Sequence, residues 1–335
     1  MPAFKINEIL ADLHKRIYYP VYLLSGEESY FIDKISGFIE DSVLTEVEKS
    51  FNMSILYGKE TNVDTITGIA KKFPMAASHN VVIIKEAQSL NKIENLQAYI
   101  DHPLDSTILV LNYKHKKIDK RKAFYKSVLK KGAFFESPRI YENQIPKWIN
   151  EYLAEKQYKI SPKAALMLVE FLGTSLEKIS NELDKLMINI AAQETISDKH
   201  IEEYIGISKD YNLFELQNAL GTKNILKANK IVDYFAANPK DAPLIRNVYM
   251  LFTYFSKILI YRQLKDKSNR NVASALGINP YFIKDYSTAA RNYSTAKLIE
   301  IVGILREYDL KAKGVENIGT PEGELYKEMI FKILH

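Results

Sequence analysis

Six basic residues crowd into nine positions, Lys114, Lys116, Lys117, Lys120, Arg121 and Lys122, within the segment STILVLNYKHKKIDKRKAFYK. Cations at that density suit the neutralising of phosphates on a polyanion, or the docking of an acidic partner. They equally suit a solvated basic face on a helix opening around Asp119. Phosphate chemistry of another kind is tested by Ser25-Gly26-Glu27-Glu28-Ser29-Tyr30. Nucleotide-binding loops need small residues, so that backbone N–H groups surround the phosphates, and a lysine that opens the next helix. This turn has one glycine, no Gly-Lys-Thr ending, and two carboxylates where phosphate oxygens would lie. Glu27 and Glu28 would repel ATP, whereas acids before a helix favour its dipole. Gly26, Glu27 and Glu28 therefore read as an ordinary turn, a degenerate phosphate loop without a cofactor.

Binding chemistry of an apolar kind is offered by Lys71-Lys72-Phe73-Pro74-Met75-Ala76-Ala77. A helix stops at a proline beside a large aromatic and a flexible thioether. Phe73 and Met75 either pack under a sheet or project as a plug into a partner's pocket, since both types are enriched at interface centres. Catalytic arrangements are thin elsewhere. The histidines (His14, His79, His102, His115, His200 and His335) are scattered without HExxH spacing, and GxSxG is absent. Pairs such as Glu202-Glu203 sit in polar helical context. No catalytic residue, metal ligand or cofactor is assigned, and the chain reads as a non-enzyme.

The elements that carry these segments change character along the chain. Up to residue 140, strands alternate with helices. Val21–Leu24 ends at Ser25-Gly26, a helix follows over 30–43, and residues 52–57 make a second strand. Another helix over 64–72 is stopped by Pro74. Val81–Ile84 and Ile108–Leu111 are continuous apolar runs, as strands buried on both faces require, and 133–136 is a last strand. This alternation predicts a parallel sheet covered by helices. From Tyr141 the strands stop. Ser161-Pro162 opens a helix that Gly173 closes, and Thr174-Ser175-Leu176-Glu177 reads as a capping box. Leu176, Ile179, Leu183, Leu186 and Ile190 form one apolar stripe. Residues from 209 onward are again helical. The stretch over 242–263 is apolar nearly all round, marking the buried centre of a bundle or of an assembly. Three domains follow: 1–140 α/β, 141–208 helical and 209–335 helical.

Composition limits the function classes. With 335 residues, 47% hydrophobic and 26% charged, the chain is ordinary for a globular protein, and a net charge of +5 makes any nucleic-acid contact local. Without cysteine there are no disulfides, thiolate metal sites or cysteine nucleophiles. The charged N-terminus lacks a signal peptide's apolar centre, and no apolar run reaches a membrane span. A cytoplasmic protein without membrane contact is expected.

Taken in order, PVYLLSGEESYFID, FPMAASHNVVIIKEAQSL, STILVLNYKHKKIDKRKAFYK, IYENQIPKWINEYLAEKQYKIS with Trp148, and ALMLVEFLGTSLEKISNELDKLMINI resemble the clamp-loader delta subunits of bacterial DNA polymerase III. That family is a degenerate branch of the AAA+ proteins. YFIKDYSTAARNYSTAKLIEIVGILREYDLKAKG is similar to its collar. The resemblance implies an AAA+-like α/β domain, a helical lid and a collar that joins a five-subunit loader. It further implies a protein that binds and opens the ring-shaped sliding clamp for primed DNA, while neighbouring subunits hydrolyse ATP. Phe73, Pro74 and Met75 fall at or beside the family's hydrophobic clamp-binding plug, although the usual large pair after the proline is here Met75-Ala76. No Ser-Arg-Cys finger precedes Gly132. The basic run Lys114–Lys122 falls where the AAA+ sensor-1 strand ends. The run is expected to meet DNA or a neighbouring subunit, with Lys114, Lys116, Lys117, Lys120 and Arg121 the candidates for DNA contact and Lys311 and Lys313 a second pair in the collar. The competing readings are an ATP-hydrolysing loader subunit and a helical nucleic-acid-binding adaptor unrelated to replication.

Overall fold

A computed structural model describes residues 4–206, 208, 210–240, 242–317 and 319–335. It divides into two compact units, Met1–Ile140 and Tyr141–His335. In the first, five strands form one parallel sheet: β1 (Val21–Gly26), β2 (Met53–Tyr57), β3 (Asn80–Lys85), β4 (Thr107–Lys114) and β5 (Ala133–Ser137), in the order β2-β3-β4-β1-β5. The central strands are apolar without interruption because both of their faces are covered. Val21, Leu23, Val82, Ile84, Leu109 and Leu111 face one core, while Tyr22, Leu24, Val81, Ile83, Ile108 and Val110 face the other. Alternate residues thus serve opposite layers, as the pleat dictates.

On the first face lie α4 (Val63–Ala70), α5 (Gln97–Ile100) and α6 (Ala123–Lys131). The second face is covered by α1 (Ile6–His14) and α2 (Ser29–Ser42), and α3 (Glu46–Asn52) leads into β2. Neither α1 nor α3 is anticipated in the sequence reading. Helix α3 carries a legible signal nonetheless. Thr45 and Glu48 form a capping box, in which Thr45 N–H donates to Glu48 at 2.8 Å and Glu48 N–H to Thr45 Oγ1 at 3.4 Å.

The second unit is helical: α7 (Ile145–Glu155), α8 (Pro162–Leu172), α9 (Leu176–Asn189), α10 (Asp198–Ile205), α11 (Leu213–Gly221), α12 (Ile225–Ala237), α13 (Leu244–Gln263), α14 (Asn269–Leu276), α15 (Ile283–Asn292), α16 (Thr295–Ala312) and α17 (Glu322–Leu334). Strands do not stop entirely at Tyr141. Lys159–Ile160 and Thr195–Ile196 make a two-residue parallel pair that buries both isoleucines. Ser161 caps α8 as expected, accepting from Ala164 N–H at 3.2 Å. The cap of α9 is Ser175, which accepts from Lys178 N–H, so the box expected over Thr174–Glu177 is not used. The stripe from Leu176 to Ile190 is buried throughout. Helices α11 to α17 enclose their own core between Leu213 and Ile333. Helix α13 is only half central to it. Val248, Leu251, Phe255 and Ile258 are buried, but Ile245, Tyr249, Phe252 and Ile260 are exposed.

One carboxylate joins α8 to α11. Glu170 accepts from Leu213 N–H at 2.5 Å, satisfying a donor at the start of α11. Its carboxyl is enclosed although the residue is not wholly buried, and burial raises its pKa to about 7 against the pull of the Leu213 bond and the Arg246 charge. A folded pKa above the ordinary 4.5 favours the fold fully below pH 4.5, and that contribution is lost as pH rises through 7. Glu170→Gln keeps the acceptor and removes the titration. Between pH 5 and pH 8, urea midpoints of the native chain should fall relative to this variant by a stability difference on the order of 2 kcal/mol. Parallel pH profiles would refute the assignment.

Candidate functional site

Two candidate segments meet at the carboxyl edge of the sheet, the third precedes β3 at its amino edge, and each is built differently. At the carboxyl end of β1 the turn is closed by backbone. Gly26 has φ +146°, and a Cβ there would lie 2.2 Å from the Ser137 carbonyl oxygen. The basic loop crosses the same turn, with Gly26 and Lys116 forming an antiparallel bridge and Ser25 Oγ donating to the Lys116 carbonyl at 3.2 Å. Ser137 Oγ donates to the Glu28 carbonyl at 2.6 Å. Glu28 then caps α2, accepting from Tyr30 N–H at 3.1 Å. A helix N-terminus attracts anions through free N–H groups and its dipole, and here the protein's own carboxylate takes that place. Glu27 lies within ion-pair distance of Lys117 at 3.5 Å and Arg139 at 3.9 Å.

The basic run does not open a helix around Asp119. Helix α6 starts only at Ala123, and the preceding residues form a loop. Asp119 is the physical reason. It accepts from Arg121 N–H at 3.0 Å and from the Arg121 guanidinium at 3.0 and 2.9 Å, a local turn that competes with helix. These bonds hold its carboxyl down at about pKa 2. The rest of the run is largely paired as well. Lys114 meets Asp33 at 2.7 Å, Lys120 meets Glu136 at 2.7 Å, and Lys122 meets Glu94. Among the described residues, Lys116 is the member of the six without an ion pair. In the second unit, Lys311 pairs with Glu307 at 2.7 Å and Lys313 with Asp309 at 2.6 Å. Exposed pairs of this kind contribute roughly 0–1 kcal/mol each, so a stronger anion could displace them.

The third segment is the loop between α4 and β3. Phe73 is 76% and Met75 65% exposed, with Pro74 half-buried between them. Neither belongs to the cores above and below the sheet. What holds the loop is Asn52, only 2% exposed, at the end of α3. Its Nδ2 donates to the Met75 carbonyl at 2.9 Å and to the Glu48 carbonyl at 3.0 Å, and its Oδ1 accepts from Met75 N–H at 2.6 Å. The side-chain amide thus mimics a strand's backbone pairing on a single loop residue. Ala76 follows with φ +51°, a left-handed conformation in which an alanine is strained. Asn52 holds this loop and is the residue that sequence reasoning misses, because nothing local connects it to a loop 23 positions away.

Among the described residues, no three His, Asp or Glu side chains are grouped to hold a metal ion. His14 packs on Phe38, His79 on Tyr18, and His200 lies 3.3 Å from Glu194.

Comparison with known proteins gives a consistent result. The family profile "DNA polymerase III, delta subunit" matches residues 22–137, and that for the delta subunit's C-terminal domain matches 210–326. Together they span more than two thirds of the chain. DNA polymerase III subunit delta of Bacillus subtilis is 26% identical over 320 residues, covering 92% of each chain. The solved structure of the Bacillus subtilis DNA clamp loader delta protein aligns over 98% of this chain and 99% of its own, with TM-score 0.56 and 22% identity. That likeness establishes the fold.

Removing the Asn52 amide should loosen the exposed loop without dismantling the sheet. Asn52→Ala leaves the Met75 backbone groups without their partners, at a cost of about 1–3 kcal/mol. The expected result is a lower denaturant midpoint together with faster proteolytic cleavage within residues 71–77. Unchanged cleavage there would show that the loop is fixed by other means.

Proposed function

Because this chain belongs to the family of DNA polymerase III delta subunits, we propose that it binds a ring-shaped sliding clamp through Phe73, Pro74 and Met75 and holds one interface of the ring open. The single observation that carries this reading is the exposed pair Phe73 and Met75, presented on a loop fixed by Asn52. Large apolar side chains left in water contribute nothing to the fold, whereas burial in a partner stabilises each by roughly 1.5–3 kcal/mol. The loop's pre-set backbone reduces the ordering cost on binding. Phe73 supplies the bulk that the small Ala76 lacks.

The chain does so without hydrolysing ATP. The turn at Gly26 is crossed by the Lys116 loop, and Glu28 caps the helix that would receive a phosphate. ATP turnover therefore belongs to neighbouring subunits of a hetero-pentameric loader. Residues 141–208 act as a lid and 209–335 as a collar. The exposed face of α13 bearing Ile245, Tyr249, Phe252 and Ile260 supplies apolar surface for contact with those neighbours. Primed DNA is met by the basic loop, led by the unpaired Lys116, and by Lys311 and Lys313. No helix among the described residues is long and apolar enough to cross a membrane. As a loader subunit that meets DNA, the protein works in the cytoplasm.

Phe73→Ala combined with Met75→Ala should weaken binding of the purified clamp about 100-fold or more, with circular dichroism and melting unchanged. Undiminished clamp binding by that variant would overturn the plug. For DNA, Lys116→Glu should reduce the salt slope of binding by about one unit and leave sequence preference unaltered. An identical slope would remove Lys116 from the DNA surface.

A further inference from the structure

Six of the seven exposed large apolar residues described before Tyr141 lie between Val47 and Met75. The most prominent of these outside the plug are Val47, 76% exposed, and Phe51, 69% exposed. They are four residues apart and share one face of α3. Phe51 immediately precedes Asn52, whose buried amide is bonded to both backbone groups of Met75. Helix α3 and the plug loop are therefore fixed to one another through a single side chain. Beside the plug, Lys71 and Lys72 are exposed and form no ion pair among the described residues. On α3, Lys49 and Glu46 satisfy each other at 2.6 Å.

We propose that Val47 and Phe51 form a second apolar contact for the same ring-shaped partner, held in register with Phe73 and Met75 by Asn52. The inference rests on the clamp-binding reading above and extends it from a loop to a two-element surface. Continuity through Asn52 argues for one occupant rather than two, because a body seated on Met75 lies next to the end of α3. Charge describes that occupant further: an apolar surface with an acidic rim facing Lys71 and Lys72. A contact of two elements resists rotation about the plug, which a single anchored loop does not.

The test uses the full chain and the purified clamp. Val47→Ala with Phe51→Ala should weaken binding about 10-fold while the melting temperature stays within about 1 °C, since both side chains lie outside the core. Phe51→Leu should retain most of the affinity. Amide exchange over residues 46–52 should slow when clamp is added, a readout independent of any variant's folding. Lys71→Glu with Lys72→Glu should weaken binding at low salt and less so at high salt. If the α3 variant binds like the native chain and its amides stay unprotected, while the Phe73 and Met75 variant fails to bind, this inference is wrong and the plug stands. If the native chain does not bind the clamp at all, both fall together.

Discussion

Two apolar side chains stay in water because one buried amide keeps their backbone there. Hydrophobic burial would otherwise favour folding Phe73 and Met75 onto the sheet, at roughly 1.5–3 kcal/mol apiece. Opposing it, Asn52 pairs with both the N–H and the carbonyl of Met75 while anchored to the Glu48 carbonyl. Breaking that arrangement would strand buried polar groups, which costs a similar amount. Ala76 at φ +51° adds local strain that is tolerated only because the flanking contacts determine the loop. A surface held out against its own collapse is most simply explained by a partner that covers it.

The same economy of means shapes the carboxyl edge of the sheet. A parallel sheet brings turn 25–28, the loop after β4 and the end of β5 to one edge. In a phosphate-binding protein that edge is left open. Here it is closed by the Gly26–Lys116 bridge, by Ser137 against the Glu28 carbonyl, and by Glu28 on the N-terminus of α2. Most cations that look from the sequence like a patch for a polyanion serve this closure or neighbouring pairs. Lys117 approaches Glu27, Lys114 holds Asp33, and Lys120 holds Glu136.

How much of this was legible in the sequence varied with the range of the forces involved. The apolar runs Val81–Ile84 and Ile108–Leu111 announced buried parallel strands, and they are buried. Ser161-Pro162 announced the start of α8 because capping is local. Helix α3 was equally local through Thr45 and Glu48, yet its seven residues carry too little apolar periodicity to stand out. The basic run misled, since its lysines suit a helix but Asp119 bonds to Arg121 instead. Exposure of Phe73 could not be read at all. It depends on Asn52, a residue whose type and position become informative only once the fold places it against Met75.

The absence of cysteine from the chain makes the central claim directly measurable. A single Met75→Cys substitution, labelled with an environment-sensitive dye, reports both the loop's exposure and its occupant. The account predicts rapid labelling of the native protein, followed by a blue-shifted and brighter emission when the sliding clamp is added. Labelling that requires denaturant, or emission indifferent to saturating clamp, would contradict it.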